Sequence, residues 1–151
     1  MNKPRLLAAY RAHLEGQRAA LARSRDDARG GTRVDGTHRP ENRGERAAVT
    51  AQGYLTAGIA QRLSELDEAL LAVDRLDPGP RDRVTPGALV QLVDEDEDER
   101  WLLVVPGGHG ATVEGVTVLS PEAPLAQALA GAEEGDEIGF RGHRWSVEQV
   151  R

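Results

Sequence analysis

The sequence predicts an α+β protein, in which an N-terminal antiparallel coiled-coil hairpin of two helices precedes a small antiparallel β-sheet domain with one short helix. Three observations predict this class. Apolar residues recur at helical spacing in the first half, Pro78 and Pro80 end that pattern, and short alternating segments follow it. We expect the hairpin at residues 1–76, a linker at 77–84 and the sheet domain at 85–151.

Two long helices are predicted before the linker. The first covers residues 4–29, because Pro4 suits a first helical turn and the glycines at 30 and 31 end the pattern. The second covers residues 41–75, where apolar residues advance by steps of three or four, as in helices packed as a coiled coil. These apolar residues are Leu55, Ile59, Leu63, Leu66, Leu70 and Val73.

The second helix requires a partner along its apolar seam. At 1.5 Å per residue it would span roughly 50 Å, which is more than so small a chain can bury around one helix. The first helix is the expected partner, folded back antiparallel through residues 30–40, with the hairpin tip near residues 30–46. Two helices of an ordinary compact bundle are the alternative interpretation.

Five strands and one short helix are predicted after the linker. The helix covers residues 124–131, with Leu125, Ala128 and Leu129 on its inner face. Together these elements form a small antiparallel sheet with one packed helix. The predicted strands are residues 88–93, 101–105, 111–119, 136–140 and 145–150.

Composition and charge exclude several classes of function. The 151 residues include no cysteine, which excludes a disulfide framework, a thiolate zinc site and a cysteine nucleophile. The net charge is −6, divided into +3 for residues 1–84 and −9 for residues 85–151, so a general nucleic-acid binder is disfavoured. No apolar run is long enough to span a membrane. We expect a soluble, cytoplasmic protein with no membrane partner.

A motif in the second half resembles a known family. The chain reads Ser120-Pro121-Glu122-Ala123-Pro124-Leu125, continues as a short helix to Gly131, and then reads Gly135-Asp136-Glu137-Ile138. This resembles the C-terminal module of the GreA/GreB transcription elongation factors over residues 85–151. The resemblance implies an FKBP-like fold for that module. The family's other half is an antiparallel coiled-coil hairpin, which the apolar seam predicts independently.

The resemblance implies a function on RNA polymerase. A protein of this family binds bacterial RNA polymerase, inserts its coiled-coil tip into the secondary channel and modulates elongation, including cleavage of backtracked RNA. The protein would not itself be an enzyme and would need no cofactor of its own, because the Mg²⁺ belongs to the polymerase active site. Contact with nascent RNA or DNA would occur only within that complex, and we expect a monomer.

The family's tip segment is only partly matched here. In the family it reads D-(L/R)-x-E-N-(A)-(E/D)-Y, which aligns with residues 38–45 of this chain. Glu41 and Asn42 match the central E-N pair, whereas His38 and Gly44 stand where the family has acidic residues. An imidazole is a poor ligand for Mg²⁺, which prefers oxygen.

Three carboxylates near the tip are the acidic candidates. Glu41 and Glu45 are four residues apart and share a helix face, and Asp35 precedes them in the loop. They would bring negative charge to the polymerase's metal, or they would pair with neighbouring arginines and only stabilise the helix start. Both interpretations stay open. The neighbouring arginines are Arg39, Arg43 and Arg46.

The second candidate contact lies where the short helix begins. In the family, the loop entering this helix packs on a coiled coil at the rim of the channel, and the matching residues here are Ala123, Pro124 and Leu125. An exposed Leu125 beside the rigid Pro124 would make a small apolar anchor. Burial of Leu125 in the domain's own core is the alternative.

Two other functions compete with transcript cleavage. One is a regulator that occupies the secondary channel without stimulating cleavage. The other is an FKBP-like peptide-binding module or prolyl isomerase. The sequence speaks against the isomerase, whose pocket needs several aromatic walls, because residues 85–151 contain only Trp101, Phe140 and Trp145 as aromatic residues.

Overall fold

A computed structural model describes residues 1–32 and 43–151, apart from the side chains of residues 28–32, 45, 49 and 52. It confirms the predicted fold class: two long helices precede a six-stranded sheet that carries one short helix. No helix in the described part of the chain is both long enough and apolar enough to cross a membrane.

The described residues form two compact units. One unit is Leu14–Glu68, and the other joins Met1–His13 to Ala69–Arg151. Both long helices therefore contribute residues to each unit. The predicted domain division at residues 77–84 is a division along the sequence, whereas these units are defined by packing. The predicted division therefore stays a prediction.

The long helices are α1 (Lys3–Thr32) and α2 (Arg43–Arg75). In the first of the units, Arg18 donates a hydrogen bond from Nε to Asp67; in the second, Arg11 Nε donates to Asp74 Oδ1 over 2.8 Å. Moving seven residues forward along α1 thus corresponds to moving seven residues back along α2, which is the order expected of antiparallel helices.

Most of the predicted seam in α2 is buried, but its first member is not. Leu66 is fully buried, and Ala69 rather than Leu70 occupies the next buried position. The prediction that Leu55 belongs to the seam is wrong, since 55% of its surface is exposed. Spacing along one helix predicts which residues share a face, but not how far along the helix that face is covered.

The sheet has the strand order β3-β4-β2-β1-β6-β5. A short helix, α3 (Pro124–Leu129), lies between β4 and β5 in the chain. The strands are β1 (Leu89–Asp94), β2 (Glu99–Val104), β3 (His109–Val113), β4 (Val116–Leu119), β5 (Glu137–Phe140) and β6 (His143–Val150).

The sheet is mixed rather than antiparallel throughout. The strand predicted at 111–119 is two strands, β3 and β4, joined by a tight turn at Glu114 and Gly115. Because this turn reverses the chain, β4 runs back beside β2 in the parallel direction, with Trp101 level with Val116. The other strand pairs are antiparallel, as predicted.

Glycine is required where the turn after β2 meets the end of β4. A Cβ added at Gly108 would lie 2.6 Å from the carbonyl carbon of Leu119, closer than real side chains approach backbone. The amide of Val105 also donates to the Leu119 carbonyl over 2.8 Å. The Gly-rich run between β2 and β3 therefore allows two backbone segments to pack closely.

The core of the sheet domain lies under α3. Alternating residues of the central strands face it, and Leu129 of α3 packs against them with no exposed surface. Trp145 belongs to the same cluster and is almost completely buried. The strand residues of this core are Val90, Leu92, Leu102, Val104, Trp145, Val147 and Val150.

A buried lysine ties the start of α1 to the segment before the sheet. Lys3 Nζ donates to the carbonyl oxygens of Gly79, over 2.7 Å, and Gly87, over 2.9 Å. Its side chain is only 7% exposed. Burial lowers the pKa of Lys3, with the nearby charge of Arg81 acting in the same direction.

Candidate partner-binding site

The loop entering α3 is positioned by backbone hydrogen bonds. The amide of Ala123 donates to the Ser120 carbonyl over 3.1 Å, and the Ala123 carbonyl accepts from the Gln127 amide over 2.9 Å. Ala123 stands at the N-cap without a side-chain cap, and Pro124 occupies the first helical turn. The Ser-Pro-Glu-Ala-Pro sequence thus builds a turn that presents Pro124 at the surface.

The inner face of α3 differs from the predicted one. Ala126 and Leu129 are the buried residues of the helix, whereas Ala128 is exposed and Leu125 is half-buried. Residues 126 and 129 are one turn apart and share a face, and residue 125 lies at its edge. Leu125 consequently packs against the core and also reaches the surface.

The Gly135-Asp136 part of the motif fixes the backbone before β5. The Asp136 side chain accepts a hydrogen bond from the Glu133 amide over 2.8 Å, and the Asp136 carbonyl accepts one from Val147. Gly135 adopts a φ of 91°, which favours glycine, and its amide donates to the Val147 carbonyl. This segment holds the chain leading to β5 against β6, whereas the Ser-Pro segment forms surface.

A pocket of about 290 Å³ opens beside the start of α3, and we call it the Leu125 pocket. The three predicted contact residues Ala123, Pro124 and Leu125 form one wall, so the structure brings them together. Strands β2 and β4 and the end of β5 contribute the rest of the lining. The remaining lining residues are Arg100, Leu102, Thr117, Leu119, Phe140 and Arg141.

Two arginines stand at this pocket, and aromatic rings support both. The guanidinium carbon of Arg100 lies 4.9 Å from the ring centre of Trp145, and that of Arg141 lies 5.1 Å from the ring centre of Phe140. Both distances suit a cation–π contact. Among the residues that the structure describes, no carboxylate lies within ion-pair distance of either arginine.

The lining residues outside the α3 loop were not predicted as site residues. Arg100, Phe140 and Arg141 reach the pocket only through the strand order, which places β2, β4 and the β5–β6 turn around the start of α3. The only signal in the sequence was the basic closing turn, Arg141-Gly142-His143-Arg144.

The tip candidates lie at the limit of the described residues. Asp35, Glu41 and Asn42 lie outside them, so the structure says nothing about their placement. Glu45 falls in α2, but its side chain is also outside the described part. Arg43 begins α2 and is exposed.

The described side chains form no candidate metal site. No cluster of three or more histidine, aspartate or glutamate side chains suited to hold a metal ion occurs among them. The carboxylates of the tip segment lie outside the described residues.

The helical pair carries its own ordered charges. A hydrogen bond from Arg18 holds the pKa of the Asp67 carboxyl below its usual range, and Arg11 does the same for Asp74. Both pairs are exposed to solvent. They join the two helices.

Fold and site define a class of protein: an α+β protein with a helical pair and a mixed-sheet domain, whose α3 edge carries an apolar pocket. Residues 79–150 match the family model for the C-terminal domain of the transcription elongation factors GreA/GreB. Residues 79–150, just under half of the chain, are therefore similar to a GreA/GreB C-terminal domain.

Curated proteins named GreA are similar to this chain as well. The chain is 35% identical over 100 residues to the transcription elongation factor GreA of Sulfurovum sp. (strain NBC37-1), which covers 65% of this chain and 59% of that protein. It is 40% identical over 100 residues to GreA of Nitratidesulfovibrio vulgaris (strain DSM 19637 / Miyazaki F), with the same two coverages. The chain thus spans less than two thirds of the length of these relatives.

Solved structures of two GreA factor homologues align with most of the chain. GreA factor homolog 1 (Gfh1) of Thermus thermophilus aligns with a TM-score of 0.42 and 18% identity, over 93% of this chain and 94% of that one. Gfh1 of Thermus aquaticus aligns with a TM-score of 0.41 and 19% identity, over 95% and 94%.

Proposed function

We propose that this protein is a transcription factor that binds bacterial RNA polymerase and modulates elongation through the polymerase's secondary channel. The observation that carries the proposal is the Leu125 pocket. The segment that matches the family's polymerase-contacting loop, Ala123 to Leu125, forms a wall of an apolar surface pocket on a GreA/GreB C-terminal domain.

The exposure of this loop supports a docking role. Pro124 is exposed, and Leu125 is half-buried, so its inner atoms are supported by the core while its outer atoms face the pocket. An apolar group that is already held in place loses little conformational freedom on binding. Such preformed apolar anchors carry much of the free energy of protein association.

The tip enters the proposal through the resemblance alone. We propose that Glu41, Glu45 and Asp35, with Asn42 and Arg43 beside them, reach the polymerase active site and add negative charge near its Mg²⁺. Hydrolysis of the transcript would then be catalysed by the polymerase, and this protein would act without a cofactor of its own and would touch RNA or DNA only inside that complex.

Binding to core RNA polymerase tests the docking role. We expect the wild-type protein to be retained by immobilised core enzyme and Leu125→Asp to bind at least about tenfold more weakly, because the substitution places a charge in an apolar contact. Leu71→Asp is the matched control, since Leu71 is an exposed leucine outside the pocket. No binding by the wild-type protein, or equal loss in both variants, would contradict the proposal.

A transcript-cleavage assay on stalled polymerase tests the tip. If the acidic residues assist the metal, the wild-type protein shortens backtracked RNA and the double variant Glu41→Ala/Glu45→Ala does not. Retention of binding by the double variant is the required control. Cleavage that is unchanged in the double variant would show that these carboxylates were assigned wrongly.

A regulator that occupies the channel without stimulating cleavage is the second candidate. The observation that favours it is the tip sequence, in which His38 and Gly44 replace acidic residues of the family. This candidate predicts binding and altered elongation rates with no added cleavage. The peptide-binding alternative is disfavoured, because Phe140 is the single aromatic residue lining the Leu125 pocket among the described residues.

A further inference from the structure

The sheet domain is strongly acidic, yet its Leu125 pocket is edged with positive charge. Residues 85–151 contain thirteen aspartates and glutamates but only four arginines and no lysine. Two of the four arginines, Arg100 and Arg141, line the pocket. No acidic side chain lines it. The charge of the pocket therefore opposes the charge of the domain around it.

These two arginines are ordered without being neutralised. Each guanidinium rests on an aromatic ring, and both side chains are exposed. Within the described part of the chain, neither has a carboxylate partner. A guanidinium held on a ring still presents its N–H groups at its edge, and these form paired hydrogen bonds with carboxylates.

Arg141 also occupies a backbone conformation that arginine rarely adopts. It is the first residue of the two-residue turn between β5 and β6, with a φ of 49°, and Gly142 follows with 78°. Positive φ at both positions is typical of a type I′ turn, in which Asn-Gly is the preferred pair. The turn therefore holds Arg141 in a defined backbone conformation beside the pocket, at some cost in stability relative to asparagine.

We propose that the Leu125 pocket takes an apolar side chain from a surface of RNA polymerase and that Arg100 and Arg141 bind acidic residues flanking that side chain. This rests on the proposed function, which supplies the polymerase as partner. The inference adds the chemistry of the polymerase surface: aspartate or glutamate next to an exposed apolar residue. It also makes the two arginines determinants of specificity.

Charge and size favour this occupant over two others. A net charge of −9 over residues 85–151 repels the phosphates of a nucleic acid. The pocket volume of about 290 Å³ lies just below the range for sites that enclose a small molecule. An acidic protein segment needs only one side chain in the pocket and gains attraction from its rim.

The test compares two arginines of the same domain in binding to core RNA polymerase. Arg141→Gln removes a charge at the pocket, whereas Arg151→Gln removes one from an arginine that lies 6.0 Å from the ring of Trp101 and does not line the pocket. We expect about tenfold weaker binding for Arg141→Gln, as for loss of one charge-assisted hydrogen bond, and unchanged binding for Arg151→Gln. Arg141→Lys should recover part of the loss.

Salt dependence and a turn variant separate binding from folding. Raising the salt concentration should weaken wild-type binding more steeply than binding of the double variant Arg100→Gln/Arg141→Gln. Arg141→Asn should raise the thermal stability of the turn while weakening binding. Glu114→Asn is its control, because Glu114 precedes Gly115 in a turn of the same geometry, with a φ of 49°, outside the pocket. It should leave binding unchanged.

Each result has a distinct consequence. If the wild-type protein does not bind core polymerase, the proposed function and this inference both fail. If it binds and Arg141→Gln binds equally well, or Arg151→Gln is weakened as much, the inference alone is overturned. Competition by a short DNA or RNA oligonucleotide that depends on Arg141 would overturn it as well, because the pocket would then serve a nucleic acid.

Discussion

Arginines of the helical pair and arginines of the sheet domain have different neighbours. Arg11 and Arg18 of α1 each donate hydrogen bonds to an aspartate of α2. Arg100 and Arg141 instead lie on the rings of Trp145 and Phe140, and no described carboxylate pairs with them. Arginine thus joins the two long helices in the helical pair. In the sheet domain, Arg100 and Arg141 are available to bind a carboxylate of another molecule.

This difference between the arginines is informative because the sheet domain contains many carboxylates that could pair with an arginine. An arginine in a region so rich in aspartate and glutamate would be expected to find a partner by chance. Exposed ion pairs contribute little to stability, so a missing pair costs the fold little. A surface arginine without a carboxylate can therefore be selected for binding, whereas the paired arginines of the helices specify which residues of α1 and α2 meet.

The largest expected effect concerns the ring beneath Arg100. Trp145 is 5% exposed and belongs to the core under α3. Trp145→Ala should lower the free energy of unfolding of the sheet domain by about 3–5 kcal/mol, because it leaves a cavity. Urea denaturation followed by the fluorescence of Trp101, the one tryptophan left in that variant, measures the change.

A conservative variant sharpens this prediction. Trp145→Phe keeps an aromatic face for Arg100 and removes less volume, so its cost should be clearly smaller than that of the alanine variant. Equally small costs for the two variants would show that the ring neither fills the core nor supports the arginine, and the contrast between the two regions would lose its structural basis.

Lys3 provides a third arrangement of a cation and the next largest effect. It binds two backbone carbonyl oxygens, those of Gly79 and Gly87, from a buried position. Lys3→Ala should cost about 1–3 kcal/mol, because two carbonyls lose a charged donor. Urea denaturation by circular dichroism measures it. Arg5→Ala is the control: that side chain is 74% exposed and pairs with Glu114 at the surface, so its removal should change little.

The fold was largely predictable because periodicity and turn residues carry it. The steps of three and four in α2 and the alternation after residue 85 predicted both halves. The parallel pairing of β2 with β4 was not predictable from a single strand, because it depends on the reversal at Glu114 and Gly115. The exposure of Leu55 depends on what packs against it from outside α2, and periodicity within α2 contains no such information.

The site was predictable only where it is continuous in sequence. Ala123, Pro124 and Leu125 are adjacent, and the resemblance to GreA/GreB pointed to them. Arg100 and Arg141 are 41 positions apart and meet at one pocket only because of the strand order. The tip residues remain a prediction, since Asp35, Glu41 and Asn42 lie outside the described residues.

The smallest expected effect tests the paired arginines of the helices by pH. The pKa of Asp67 is lowered chiefly by the hydrogen bond from Arg18, so the folded state releases the proton more readily than the unfolded state does. The pair therefore stabilises the fold above the ordinary carboxyl pKa of 3.8, and this contribution disappears as the pH falls through the lower, folded-state pKa. Thermal unfolding followed by circular dichroism should show that stability falls slightly less steeply with decreasing pH in Asp67→Asn than in the wild-type protein. Glu68→Gln, which alters an exposed neighbour, is the control. If stability depends on pH in the same way in Asp67→Asn and in the wild-type protein, the Arg18–Asp67 pair orders the two side chains without stabilising the helices. The arginines of the helical pair would then contribute no more to folding than the unpaired arginines of the sheet domain.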